Sequence, residues 1–186
     1  MNRMTAMLAL VCFLCGCSSK NRDLEKAMAM RQKVLGASEC CFDAEITADY
    51  GDKQYRFSMQ CSADQQGNLV FSVAAPETLS GISGSIDEKG GKLTFDDTAL
   101  NFPLMADDQL SPVCAPWIFF RTLRSGYLTA AGMEEELLRL TIHDSYQEDA
   151  LQLDIWINGE EQPVQADILH NGVRILSVGI KNFQIL

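Results

Sequence analysis

Residues 40–61 read CCFDAEITADYGDKQYRFSMQC, and the period of this stretch decides the fold. Phe42, Ala44, Ile46, Ala48 and Tyr50 are apolar or small, and Asp43, Glu45, Thr47 and Asp49 alternate with them. Successive side chains of a strand point to opposite faces, so this pattern predicts a strand with one buried face and one wet one. Gly51-Asp52 supplies a hairpin turn, after which Tyr55, Phe57, Met59 and Cys61 resume the alternation. A second turn at DQQGN leads into NLVFSVAAP, which places Leu69, Phe71, Val73 and Ala75 on one face. Three antiparallel strands in meander order follow.

The same signals recur downstream. SGISGSI is rich in glycine and reads as an edge strand. GKLTFDD and ALNFPLM are short, and Pro103 marks the latter as an edge or crossover, because proline cannot donate to a ladder. LLRLTIHDSY turns Leu138, Leu140 and Ile142 inward, and ALQLDIWING does the same with Leu151, Leu153, Ile155 and Ile157. Turns are expected at Asn158-Gly159 and Asn171-Gly172. PVQADILH joins these two turns, and VRILSVGIKNFQIL ends the chain.

Two segments break the period of two. Leu24, Ala27, Met28, Met30, Arg31 and Leu35 recur at helical spacing and stop at Gly36, which predicts an amphipathic helix over 23–35. The stretch from Gln109 to Gly132 carries SPVCAPWIFFRTLRSG, with Pro116 suited to a first helical turn and Gly126 to its end. The expected architecture is α+β: eight to eleven antiparallel strands in one strongly curved, unclosed sheet. The N-terminal helix and an aromatic mid-chain helix cover its concave face.

The N-terminus carries a different kind of information. Met1-Asn2-Arg3 is a basic start, and Met4 to Cys15 is almost wholly apolar or small. About a dozen residues do not span a bilayer, which takes about 20, but they fit the apolar centre of a signal peptide. Leu14-Cys15-Gly16-Cys17 resembles a bacterial lipobox, in which small residues enter the signal peptidase and the following cysteine thiol takes the diacylglyceryl group. The reading implies a signal peptide over 1–16 and a lipid anchor with palmitate-type chains on Cys17. A polar tether over 17–22 and one β domain over 23–186 complete it. Two acyl chains anchor stably where one does not, so the chain is expected outside the cytoplasmic membrane, held to it by lipid.

Without residues 1–16 the chain keeps 14 basic and 25 acidic side chains, a formal charge of −11. Such a domain does not seek nucleic acid and is repelled by anionic lipid surfaces. Cys40, Cys41, Cys61 and Cys114 remain; an exported domain can oxidise such thiols, and spacing leaves open both pairing and plain burial.

The order of elements resembles the LolA/LolB-like lipoprotein-carrier fold over most of 23–186. The resemblance rests on five features: the lipobox, the helix before the first hairpin, the strand-then-proline passage NLVFSVAAPETLSG (68–81), the proline-flanked mid-chain helix and the closing NGVRILSVGIKNFQI (171–185). Within that superfamily the chain looks most like the germination lipoproteins (GerS-like) of Gram-positive spore formers. That narrower resemblance implies an envelope protein partner, a cell-wall amidase, and a role as accessory in cell-wall or spore-cortex processing. The wider one implies a lipid or lipoprotein ligand.

Signatures of catalysis are weak. His143-Asp144 sits at a strand end, with His170 the other histidine of the chain. Asp96-Asp97 and Asp107-Asp108 lack the glycine and distal glutamate of a calcium loop. Gly-Ile-Ser-Gly in SGISGSI lacks the spacing of a nucleophile elbow. We therefore expect no enzyme activity, no metal and no cofactor. Binding remains, and an apolar cleft lined by Phe71, Val73, Phe95, Trp117, Phe119, Phe120, Leu140 and Ile155 would take acyl chains. The alternative, favoured by the pattern, is that the same side chains fill the core.

Overall fold

A computed structural model describes residues 16–51, 53–96, 98–106 and 109–186, and the side chains of these apart from residues 16–20 and 106. Helix α1 (Gly16–Gly36) leads into strands β1 (Glu39–Asp49), β2 (Gln54–Asp64) and β3 (Leu69–Ala75). Then come β4 (Ser83–Asp87), β5 (Gly90–Phe95), β6 (Thr98–Phe102) and the small hairpin β7 (Met105–Ala106) and β8 (Gln109–Leu110). Helix α2 (Ala115–Ser125) precedes β9 (Tyr127–Glu134), β10 (Leu137–His143), β11 (Gln152–Ile157), β12 (Pro163–His170) and β13 (Val173–Ile185). Eleven strands form one antiparallel sheet in the order β6-β5-β4-β3-β2-β1-β13-β12-β11-β10-β9. The first and last strands of the chain thus meet at its centre, while β6 and β9 form its two edges. The sheet is unclosed and curved, with two helices on one face, as the strand pattern and the LolA-like resemblance predict.

Period two holds where it matters most. In β1 Cys40, Phe42, Ala44, Ile46 and Ala48 are buried, and their neighbours in sequence are not. Most of their partners across the ladder are buried too, Ala63, Cys61 and Met59 on β2 and Ile180, Val178 and Leu176 on β13, whereas Tyr55 and Ile185 at the ends are exposed. Each fully buried aliphatic side chain contributes roughly 1.5–3 kcal/mol, so this three-strand seam is the spine of the core. Register shifts opposite Cys41–Asp43, Thr141–Ile142, Trp156–Ile157 and Ile168–Leu169 add local twist, which coils the sheet around the helices. The Asn171-Gly172 turn forms as expected, both residues having positive φ (50° and 75°).

Four expectations are corrected. The helix expected over 23–35 runs instead from Gly16 to Gly36, so its backbone takes in the residues of the polar tether. Its buried face is Ala27, Met30 and Val34; Leu24, Met28 and Leu35 lie exposed on its outer shoulder. The apolar sector of this helix is wider than the sheet can cover, and periodicity does not say which part turns inward. SGISGSI does not form an edge, because β4 runs between β3 and β5. Its glycine has a packing reason: a Cβ on Gly84 would sit 2.3 Å from the Lys92 carbonyl and 2.7 Å from the Phe71 ring. Finally, β9 has no counterpart in the sequence reading. YLTAAGME alternates poorly because an edge strand covered by α1 buries little of either face.

Candidate functional site: a pocket at one end of the sheet

The helices are pinned to the sheet by polar bonds as well as packing. Trp117 Nε1 donates to the Gly67 carbonyl (3.0 Å), and Arg124 Nη1 donates to the Asp64 carbonyl (3.1 Å). Arg31 on α1 reaches the C-terminal end of α2, donating to the carbonyls of Leu123 (2.7 Å), Arg124 (3.0 Å) and Gly126 (2.7 Å). Those carbonyls have no partner within their own helix and carry its negative end, so a guanidinium is a suitable cap. Sequence periodicity placed Arg31 on the inner face without a reason; this capping role is the reason.

Under the helices, the predicted cleft residues divide. Phe71, Trp117, Phe119, Phe120, Leu140 and Ile155 are buried together, and Val73 packs half-buried against them. Phe42 stands edge-on to Phe119 (5.6 Å between centroids) and near-parallel to Phe120 (6.5 Å), with Phe183 on its third side (5.9 Å). The rings thus occupy the space between sheet and helices. Phe95 is placed elsewhere. It faces the concave side but is 50% exposed, because α2 packs on β1, β2, β10, β12 and β13 and meets the β4–β6 arm at its β4–β5 turn, through Arg121 and Glu88 (3.9 Å). Of the lipobox, Leu14 and Cys15 lie outside the described residues, and Gly16 and Cys17 begin the α1 backbone.

A pocket lies at the end of the sheet where β1, β10 and β12 finish and β13 starts. It encloses about 710 Å³, within the usual range for a small-molecule site. Four segments distant in sequence build it: the β1–β2 turn, the β7–β8 hairpin, the β10–β11 loop and the β12–β13 turn. Tyr50, Met105, Leu110, Leu151, Val173 and Ile175 supply its apolar wall, and Asp49, Asp144, Asp149 and His170 its polar lip. The Tyr50 hydroxyl donates to the Leu110 carbonyl and ties the small hairpin to the sheet. Burial, with Tyr55 and Cys114 nearby, raises this phenol above its usual value, so it stays a donor.

The histidines take modest positions. His143 ends β10 opposite Gln152. Its neighbour Asp144 accepts the Leu151 amide (2.9 Å) and shapes the β10–β11 loop. No cluster of three potential metal ligands occurs among the described residues. On the outer face Asp154 and Asp167 are direct partners on β11 and β12. Arg139 and Thr141 bind the first, and Arg174 and Ser177 the second. These partners offset the repulsion expected of like charges placed opposite each other. Cys40, Cys41, Cys61 and Cys114 are all free thiols. Burial pushes the Cys40 thiol up to about 11 and Cys114 to about 12, and raises Cys61 further still, so these three behave as small apolar groups.

No protein-family model matches the chain, and no curated protein matches it. Solved structures do show similarity. A LolA superfamily protein from Nitrosomonas europaea aligns over 86% of this chain and 93% of its own, with 6% identity and a TM-score of 0.44. An uncharacterised conserved protein from Thermus thermophilus aligns over 86% and 87%, with 13% identity and a TM-score of 0.46. A chain from the complex of the CwlD amidase with the GerS lipoprotein of Clostridioides difficile aligns over 86% and 93%, with 12% identity and a TM-score of 0.42. At these values the likeness carries no argument about activity, ligand or partner. The architecture stands on the strand order itself.

Proposed function

We propose that this chain is a membrane-anchored, non-enzymatic envelope lipoprotein that works by binding a protein partner, as an accessory in cell-wall or spore-cortex processing. The observation that carries this reading is the filled interior. Phe119, Phe120, Leu140 and Ile155 are buried to within 1% of complete, so a ligand seated among them would have to part the helices from the sheet. Surfaces left for binding are peripheral and include the pocket at the sheet end and the concave side of the β4–β6 arm, where Phe95 and Leu100 are exposed. The class of partner, a cell-wall amidase, comes from the GerS-like sequence resemblance. No described helix is long and apolar enough to cross a membrane; in this reading the anchor is the lipid on Cys17, which the lipobox resemblance implies.

Two experiments test the proposal. Metabolic labelling with palmitate should mark the wild-type chain and not Cys17→Ala, which should leave the membrane fraction; labelling of the variant would refute the anchor. The Cys17→Ala chain, purified from the producing cell's envelope extract after cross-linking, should carry a stoichiometric protein with cross-links on the β4–β6 arm or the sheet-end loops. Recovery of bound lipid and no protein would instead favour the alternative, a lipid or lipoprotein carrier.

A further inference from the structure

The pocket at the sheet end combines two features that do not usually share one wall. Its floor is apolar, formed by Tyr50, Leu110, Leu151 and Ile175, with Val173 at the lip. Among the described residues its charged lining is of one sign: Asp49, Asp144 and Asp149, with no lysine or arginine. None of the three carboxylates joins an ion pair among the described residues. Two are held in place by their own loops, Asp49 accepting the Gly51 amide (2.9 Å) and Asp144 the Leu151 amide (2.9 Å). Each of these two spends one oxygen on the loop, leaving the other without a hydrogen bond among the described residues. Some carboxylates elsewhere do have a cationic partner: Asp154 with Arg139, Asp167 with Arg174, Glu45 with Lys181 and Glu161 with Lys33.

We propose that this pocket is a binding site for an amphiphile with a cationic end, an apolar chain or ring bearing an ammonium group. The apolar part lies against Leu110, Leu151 and Ile175, and the cation sits at the lip between the β1–β2 turn and the β10–β11 loop. An apolar ligand bearing a carboxylate or phosphate would meet three like charges there. Complementary charge at the rim of an apolar pocket sets both the choice and the orientation of the ligand. The inference goes beyond the protein-partner reading and does not depend on it, since it concerns a different class of ligand.

The test uses chains of equal length and different ends. Dodecyltrimethylammonium, dodecanoate and dodecyl maltoside, each below its micellar concentration, are titrated calorimetrically into the Cys17→Ala chain. Methyl NMR of leucine, isoleucine and valine reports the site. The ammonium probe should bind at least ten-fold tighter than dodecanoate and shift Leu110, Leu151, Val173 and Ile175. A double variant Asp49→Asn/Asp149→Asn, on exposed loop side chains, should abolish that preference, and Val173→Lys should reverse it. A control with the same charge change at the far β4–β5 turn, Asp87→Asn/Glu88→Gln, should leave the preference intact. Equal binding of all three probes, shifts away from the four named residues, no binding, or an equal loss in the control pair would each overturn the proposal. The last outcome would mean that net charge alone attracts the cation.

Discussion

Replacing Phe119 by alanine separates a filled core from a lined cleft more sharply than any other single change. Phe119 is 0% exposed and packs edge-on against Phe42 at 5.6 Å. Truncating a fully buried phenylalanine costs about 3–5 kcal/mol, through lost transfer energy and the cavity left behind. The pair with Phe42 places this site toward the upper end, since an aromatic pair adds about 0.5–1.5 kcal/mol to simple burial. A ring lining a solvent-filled or lipid-filled cleft has one face already free, and removing it costs much less. In a domain of this size the filled core predicts a fall in Tm of roughly 6–20 °C. Urea denaturation followed by tryptophan fluorescence measures the loss, with Trp117 on the mutated helix and Trp156 on β11 each read in a background where the other is phenylalanine. Coincident transitions from the two would support two-state treatment. Should Phe119→Leu also fold, it should fall between alanine and wild type. A loss below about 1.5 kcal/mol for Phe119→Ala, together with lost lipid from the purified protein, would refute the filled core and restore the cleft.

Three further outcomes follow from the same geometry. Gly84→Val should lower the urea midpoint by an amount equivalent to about 1–3 kcal/mol, the usual range for overpacking, because its Cβ would overlap the Lys92 carbonyl and the Phe71 ring; an unchanged midpoint would show that β4 has room. Arg31→Ala should cost about 1.5–3 kcal/mol, as expected for hydrogen bonds from a charged donor, and should speed amide exchange in the last turn of α2; Arg31→Lys should recover only part, since an ammonium cannot span three carbonyls as a guanidinium does. Stability should fall as pH rises above about 9. There the unfolded chain loses the Cys114 proton while the folded chain holds it until about 12, so the unfolded state binds fewer protons and gains relative to the native one. Comparing urea midpoints at pH 8 and pH 10.5 should show this fall, and it should shrink in Cys114→Ala; an identical slope in that variant would refute the assignment.

The parts of the fold legible in the sequence are those with local causes. Alternation in 40–61 named the buried residues of β1 correctly, because side-chain direction in a strand is fixed by residue number alone. Pro116 and Gly126 bracketed α2 to within a residue, because both act through their own backbone dihedrals. Asn171-Gly172 named its turn for the same reason. The misreadings are equally specific. Leu24, Met28 and Leu35 share the apolar sector of α1 yet lie exposed, because helical period defines that sector but not which part of it meets the sheet. SGISGSI looked like an edge because its glycines were read as weakness, whereas Gly84 makes room for Phe71 from the next strand.

What the sequence determined by itself is a helix, a run of half-buried strands and a second aromatic helix, together with the lipobox pattern around Cys17. Only the tertiary structure decided how these are used. It joined β1 to β13 at the centre of the sheet and left β4–β6 as an uncovered arm. It packed Phe119 and Phe120 on Phe42 so that they fill rather than line. It also drew Asp49, Asp144 and Asp149 around one apolar pocket from loops far apart in the chain. The physical reason is the range of the interactions. Period and turn chemistry act over a few residues and are written locally, whereas burial and the sum of charges at a site exist only once distant segments share the same space.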